Sequence, residues 1–251
     1  MTRELGRSFG SAVEDYVRGR PGWPIQAVEA PGISPKAHVL DLAAGTGKLT
    51  QLLSHRFARV SAVEPDDAMR AANRWGEPLA GSAEAIPLPD DAVEAVFVAE
   101  AFHWFGKPAV VRELERVLRP AGTVVLLWNR PRPETAIPAE VHALMEGLTI
   151  EADRNLKRRF FYSAEWRDVF RGSAFGPIEQ AAFDHEHVLD RTGLVSYFLS
   201  QSKVTERPSG ERAAIRADLE RLIPEGSYVR PLRAEVYWTQ LLSGTSRGPR
   251  G

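Results

Sequence analysis

The chain has 251 residues, of which 43% are hydrophobic and 26% charged, the proportions of a folded globular protein rather than a disordered or fibrous one. Its 32 Lys plus Arg against 33 Asp plus Glu leave a formal net charge of −1, so bulk charge favours neither nucleic acid nor an anionic membrane as a partner. The lack of cysteine excludes a disulfide framework, a thiolate metal site and a thiol nucleophile, and with no signal-peptide core or apolar run of roughly 18 residues the expected location is cytoplasmic.

Residues 1–36 are punctuated by Gly19, Pro21, Gly22, Pro24, Pro31, Gly32 and Pro35, which predicts short helical pieces and turns. His38-Val-Leu-Asp-Leu42 reads as a strand ended by the turn Ala-Ala-Gly-Thr-Gly47, and Leu49, Leu52, Leu53 and Phe57 then fall at helical spacing. Strands are expected over 60–64, 79–82, 93–98 and 123–128. Helices are expected over 68–74, capped by Asp66, and over 107–118, with an aromatic turn at Phe102-His-Trp-Phe105. Such alternation of strand and helix predicts an α/β fold, a doubly wound and mostly parallel sheet that binds ligands at the carboxyl ends of its strands.

Beyond Trp128 the pattern changes. Residues 129–133 read as a loop, 139–150 and 209–222 as helices, and 179–189 with 228–237 as an antiparallel pair closing the sheet edge. Residues 37–130 form the core in this division, 131–243 a C-terminal helical elaboration that completes the sheet and pocket, and 244–251 a frayed tail.

The chemistry concentrates in Asp41-Leu-Ala-Ala-Gly45-Thr-Gly47, with Glu64 at the end of the following strand. Gly45 and Gly47 permit a tight turn and close approach of a ligand, and an acid at the second strand end can accept both hydroxyls of a ribose. Charge separates the possible cofactors. A nicotinamide dinucleotide would bring its pyrophosphate beside Asp41, whereas S-adenosyl-L-methionine brings an ammonium and a sulfonium. Thr50 also stands where the dinucleotide fingerprint requires a third Gly or Ala. Methyl transfer therefore leads; an NAD-dependent oxidoreductase and a noncatalytic binding protein of the same fold are the alternatives.

On these residues the sequence resembles the class I S-adenosylmethionine-dependent methyltransferases, of the methyltransferase type 11 group. Residues 39–47 look like that family's first motif, Val63-Glu-Pro-Asp66 like its second, and Gly81-Ser-Ala-Glu84-Ala-Ile-Pro-Leu-Pro-Asp90 like its adenine-side loop. The resemblance implies a Rossmann-like sheet and a methyl donor held by Asp41, Ala43, Gly45, Thr46 and Gly47 at its methionyl part. It assigns Glu64 and Pro65 to the ribose, Ser82, Ala83 and Glu84 to the adenine edge, Met69 to packing on the base, and Ala99 to the cofactor pocket. Residues 8–16, Arg20-Pro-Gly-Trp-Pro24 and Ala101-Phe-His-Trp-Phe105 are similar to the N-terminal lid and post-strand segment of the trans-aconitate methyltransferase-like branch, with Trp23 where many relatives carry Tyr and Glu100 where Gln is common.

The acceptor side is expected to be a small molecule, with carboxylate or hydroxyl favoured. Tyr16, Trp23, Trp104 and Phe105 are candidates to line the cationic site, or to pack in the core; Arg20 and Asn129 join the lid and substrate set. His103 is the candidate general base for a hydroxyl or amine acceptor, a binding residue for a carboxylate acceptor that needs no base, or a structural histidine. Arg130 and Arg132, or the basic-aromatic stretch 157–162, could meet an anionic acceptor. His185 and His187 share one strand face but lack an evident third ligand, so no metal is expected. Gly47-Lys48 lacks the Ser or Thr of a phosphate-binding loop at residue 49, and Gly244-Thr-Ser-Arg-Gly248 lacks the strand-to-helix turn of a nucleophile elbow.

Overall fold

The computed structural model describes residues 13–105, 107–133, 137–148 and 165–242; the expected tail, the basic-aromatic stretch 157–162 and the first residues of the lid motif lie outside these. Strands β1 (His38–Leu42), β2 (Arg59–Glu64), β3 (Glu77–Ala80), β4 (Val93–Ala99), β5 (Leu118–Pro131), β6 (Glu179–Asp190) and β7 (Ser227–Gln240) form one sheet in the order β3-β2-β1-β4-β5-β7-β6. The first five are parallel, and β7 pairs antiparallel with both β5 and β6. This is the expected Rossmann-like, mostly parallel sheet with an antiparallel edge.

Alternation along the central strands explains why both faces are covered. Leu40, Leu42, Val96, Val98, Val124 and Leu126 bury one way, with Val110 and Leu114 of helix α5 (Lys107–Val117). Val39, Phe97, Val125 and Leu127 bury the other way, against Ala27 and Val28 of α2 (Ile25–Glu29) and Leu49 and Leu53 of α3 (Lys48–Arg56). Strands apolar on both faces are what helices on both sides of a parallel sheet require. Among the described residues, no helix is long and apolar enough to cross a membrane.

Three boundaries depart from expectation. The third strand runs over Glu77–Ala80, and Ser82 instead bridges to Ala85. Strand β5 starts early: Leu118 pairs with Val93, residues 119–122 bulge out with Ala121 at φ 63°, and pairing resumes at Thr123 opposite Ala95. Residues 129–131 are strand rather than loop, because β7 continues the ladder to Pro131 opposite Leu232; the prolines there mark the end of a ladder, not its absence.

Pairing of β6 with β7 persists past that point, from Glu186 opposite Pro231 to Asp190 opposite Ser227. The two strands thus overhang the carboxyl edge of the parallel sheet as a ribbon. A third apolar cluster sits on it: Val141 and Met145 of α6 (Ala139–Gly147), Leu194 and Phe198 of α7 (Arg191–Leu199), Leu219 of α9 (Ser209–Leu222), and Leu189 and Tyr228 of the ribbon itself. Asp190 caps α7 by accepting from Gly193 N–H at 2.6 Å; a short α8 (Ser202–Thr205) follows. Between β2 and β3, α4 (Asp67–Ala72) starts at Asp66, whose carboxylate accepts from Ala68 N–H and Met69 N–H as expected.

Helix α1 (Val13–Gly19) crosses from this elaboration, where it packs on α7, toward α4. Asp15 accepts from Arg216 at 2.8 Å, and Arg20, just past the helix, donates to Ser200 O at 2.7 Å. At the crossing, a Cβ on Gly19 would lie 2.2 Å from Tyr197 N, so two backbones meet where only glycine fits. Gly19→Ala is therefore expected to cost about 1–3 kcal/mol by overpacking and to undock α1. The urea midpoint should fall and amide exchange over residues 13–19 should accelerate; unchanged exchange would show that α1 does not depend on this contact.

Candidate functional site

The carboxyl end of β1 turns sharply through Ala43 (φ 60°), Gly45 (φ 54°) and Gly47 (φ 85°), the last being the residue before α3. A non-glycine residue at positive φ is a stored cost. The turn is held by the two acids that the sequence singled out. Gly45 N–H donates to Glu64 Oε2 at 2.9 Å, and Asp66 N–H donates to Glu64 Oε1 at 2.9 Å. Asp41 Oδ2 accepts from Thr50 Oγ1 at 2.6 Å, and Thr50 Oγ1 accepts in turn from Asn73 Nδ2 at 3.0 Å. A Cβ on Gly47 would lie 2.1 Å from Asn73 Oδ1, so the turn packs against this chain of hydrogen bonds with no room for a side chain.

Both acids are buried, Asp41 to 1% exposure. Burial is the main cause that pushes Asp41 up to about 7, with Thr50 opposing it and Glu64 adding to it. Burial likewise raises Glu64, against the N–H donors of Asp66 and Gly45. An ionised carboxylate pair held out of water attracts a cationic ligand and repels a phosphate. The turn, with its close packing at Gly47 and open space at Gly45, and the paired acids fit a cofactor with a positive methionyl end and a ribose.

Met69 is buried at the start of α4, and Pro65 lies between Glu64 and the cap. Ala83 is buried in the loop after β3 beside Ser82 and Glu84. That loop is braced from α5. Glu113 accepts from Ile86 N–H at 2.7 Å, while Arg116 donates to Ile86 O at 2.8 Å and Leu88 O at 2.7 Å. Ala99 ends β4, and Thr46 is buried within the turn.

In α1, burial raises the Tyr16 hydroxyl, and the charged groups that act on it are Arg20, Glu100, Glu64 and Asp41. The Arg20 guanidinium lies 5.0 Å from the Tyr16 ring centroid. Glu100, at φ 55° after β4, accepts from Asn129 N–H at 2.6 Å; burial raises it against Asn129, Arg20 and Arg130. Asn129 Nδ2 donates to Gly22 O at 3.2 Å, so its Oδ1 faces His185 Nε2 at 2.7 Å. This network assigns the proton of neutral His185 to Nε2.

The remaining aromatic candidates pack on the two apolar clusters that flank the sheet. Trp104 and Phe105 pack on the apolar cluster around Phe102, and His103 sits with its ring centroid 4.7 Å from that of Trp104. Trp23 packs on the opposite cluster, with Phe183 and Trp238. Arg130 and Arg132 are not a waiting anion site: they pair with Glu235 at 2.9 Å and Asp184 at 2.8 Å, because the strand in place of a loop brings β6 and β7 alongside. Among the described residues, no group of three or more His, Asp or Glu is placed to hold a metal ion.

One basic group has no motif but has a pattern signal. In β7, Tyr228, Leu232, Ala234 and Val236 bury alternately, and Arg230 falls on the same inward face at 4% exposure. An arginine in register with a buried apolar row is the kind of exception that marks a site.

The methyltransferase domain family model matches residues 40–126, from β1 through β5. An uncharacterized methyltransferase of Mycobacterium tuberculosis is 47% identical over 131 residues, 51% of this chain and 54% of the relative. The matched region thus spans about half the length of that relative. An uncharacterized methyltransferase-like protein of Schizosaccharomyces pombe is 29% identical over 225 residues, 86% of each chain. A solved structure from Anaeromyxobacter dehalogenans, whose name assigns it provisionally to the type II methyltransferases, superposes with a TM-score of 0.60 at 21% identity, covering 89% of this chain and 99% of that one, a likeness of fold. The glycine turn, the acid at the end of β2 and the braced loop after β3 thus lie within the region, residues 40–126, that is similar to the methyltransferase domain family.

Proposed function

We propose that the protein binds S-adenosyl-L-methionine and transfers its methyl group to a small-molecule acceptor, with carboxylate or hydroxyl favoured. The observation that carries this reading is the buried pair Asp41 and Glu64 beside a turn that packs closely at Gly47. It supports a ligand with a cationic end and opposes the pyrophosphate of a nicotinamide dinucleotide. When bound, the cofactor supplies an activated methyl on a sulfonium, so the chain's own residues mainly orient the reactants and exclude water. Asp41 and the backbone of residues 43–47 hold the methionyl part, Glu64 the ribose hydroxyls, and Ser82, Ala83, Glu84 and Met69 the adenine. The N-terminal segment with Tyr16, Arg20 and Trp23 acts as the lid. For a hydroxyl acceptor His103 takes the proton; a carboxylate acceptor needs none removed. Neither a nucleic acid nor a membrane is part of this reading, and its setting is the cytoplasm.

Calorimetry is expected to show binding of S-adenosylmethionine and S-adenosylhomocysteine but not NAD. Glu64→Ala should weaken that binding by about 1.5–3 kcal/mol, the scale of hydrogen bonds to a charged group. Unchanged affinity in the folded variant would remove Glu64 from the site, and mass analysis of products over a panel of acids, phenols and amines would separate an enzyme from a noncatalytic binder.

Asp41 gives a pH signature. Its folded value of about 7 lies above the ordinary 3.8, so the unfolded chain releases this proton first. The stability tied to the protonated folded form is complete below about 3.8 and lost as pH rises through 7. Without cofactor, Asp41→Asn should therefore stabilise the protein at pH 8, by roughly 1–4 kcal/mol, and change little near pH 4. Urea unfolding at both values checks this, and an equal effect at both would mean that Asp41 ionises freely.

His103→Ala should lower the single-turnover rate on a hydroxyl acceptor by about 10²–10⁴-fold with cofactor binding intact. An unchanged rate and affinity would make His103 a packing residue.

A further inference from the structure

Asp41 lies two residues after Val39 in β1, and Val39 belongs to the apolar cluster that holds Leu49 and Leu53 of α3. Alternate residues of a strand share a face, so an apolar side chain at position 41 would suit the core under α3 equally well. A buried carboxylate there is costly unless donors satisfy it. Its donors come from one residue. Thr50 Oγ1 donates to Asp41 Oδ2 at 2.6 Å, and the Thr50 backbone N–H also favours the charged form against burial. Thr50 is fully buried, as is nearly all of Asn73 behind it.

The direction of these bonds is fixed from the far end. Trp75 N–H donates to Asn73 Oδ1 at 3.0 Å, which leaves Asn73 Nδ2 facing Thr50. Asn73 Nδ2 donates to Thr50 Oγ1 at 3.0 Å, and an amide nitrogen does not accept. The single hydroxyl proton of Thr50 is therefore left for Asp41 Oδ2, an oxygen that carries no proton. A threonine inside a helix can bond back to a carbonyl one turn earlier; this one donates out of α3 to the neighbouring strand. Among the described residues, the titratable groups that face Asp41 are Glu64 of β2, which favours the neutral carboxyl, and Tyr16 of α1, whose hydroxyl responds to it. No charged group of β4, α3 or α4 acts on it among those residues.

We propose that Thr50, oriented by Asn73, is a positioning residue that keeps the Asp41 carboxylate anionic and thereby sets the pH range over which the cleft accepts a cationic methyl donor. The donor rests on the cofactor reading above; the action of Thr50 on Asp41 does not. Without the hydroxyl, only the backbone N–H opposes burial and Glu64, so Asp41 takes up a proton at higher pH, and a neutral carboxyl no longer attracts a sulfonium or an ammonium. Thr50 stands where a dinucleotide fingerprint requires Gly or Ala, neither of which has a hydroxyl to donate. The position at which the sequence departs from a dinucleotide site is thus the one that supplies the proton.

The test follows Asp41 itself. The whole protein, labelled with carbon-13 at its aspartate carboxyls, is titrated by NMR without cofactor, the Asp41 signal being assigned by its loss in Asp41→Asn. Thr50→Val, close to threonine in shape, should move the Asp41 midpoint up by about one pH unit, the scale of one hydrogen bond to a carboxylate. Thr50→Ser keeps the hydroxyl and should restore the midpoint. Asn73→Ala, a change outside the helix, should move it up by less, since Thr50 keeps its proton but loses the donor that directs it. A midpoint unchanged in Thr50→Val and Asn73→Ala, or not restored in Thr50→Ser, overturns the proposal. Calorimetry with S-adenosylmethionine gives the second readout: Thr50→Val should bind about 5-fold more weakly than wild type at pH 7 and about 10-fold more weakly at pH 6, and converge with it near pH 9. Weakening by the same factor at every pH would mean structural damage and overturn the assignment. Failure of wild type to bind S-adenosylmethionine and S-adenosylhomocysteine at any pH would overturn the cofactor reading alone, since the NMR titration is run without them.

Discussion

The bond from Gly45 N–H to Glu64 Oε2 joins the turn after β1 to the end of β2, and much of the site follows from it. With Ala43, Gly45 and Gly47 all at positive φ, the backbone between β1 and α3 is bent into a shape that does not hold by its own preference. Glu64 ties one side of the turn, and the chain Asp41, Thr50, Asn73 ties the other. Four elements, β1, α3, β2 and the end of α4, are thereby fixed in one constellation. The buried acids do double duty: they brace the turn through neutral donors, and the desolvation that this entails makes them receptive to positive charge.

Because the acids lie at one end of the cleft, the remainder of the site is arranged by charge segregation. Glu100, in a left-handed conformation and bonded to Asn129 N–H, is acted on by Arg20 after α1 and Arg130 of β5. Asn129 couples three segments at once, the end of β5, Gly22 before α2 and His185 of β6. That coupling makes β5 longer than a parallel strand needs to be: residues 129–131 leave the parallel sheet to pair with β7 alone.

How far the sequence could be read follows the same division. The first half was legible because each element declared itself twice, by periodicity and by a specific residue: Asp66 as a cap, Gly45 and Gly47 as a turn, Glu64 at a strand end. Helix 209–222 and the antiparallel pair were legible from period alone. Helix α7 was not, because Leu194, Val195, Ser196, Phe198 and Leu199 are all buried, and a helix covered on most sides has no amphipathic stripe to detect; Asp190 was its one local signal. Residues 129–133 read as a loop since Arg-Pro-Arg-Pro suits one, and the partner that makes strand of 129–131 lies about a hundred positions away. Local chemistry cannot report a ladder whose other rail is so distant.

The same distance explains why acceptor residues are harder to read than cofactor residues. The residues proposed for the methyl donor are a turn and two strand ends that lie close in the chain, compressed into residues 41–84. The residues proposed for the acceptor come from α1, the end of β5, the β6–β7 ribbon and α7, which meet only in the folded sheet. Each polar one, taken singly, looks like an ordinary surface residue. Arg230 becomes conspicuous only against the alternation of Tyr228, Leu232, Ala234 and Val236, where an apolar side chain would satisfy the core equally well. Burying a guanidinium there costs free energy that an apolar residue would not. A ribbon that overhangs the cleft can also change its inward residues without disturbing the seven-stranded core. On physical grounds, the place to look for what distinguishes one acceptor from another is therefore the inward face of that overhang.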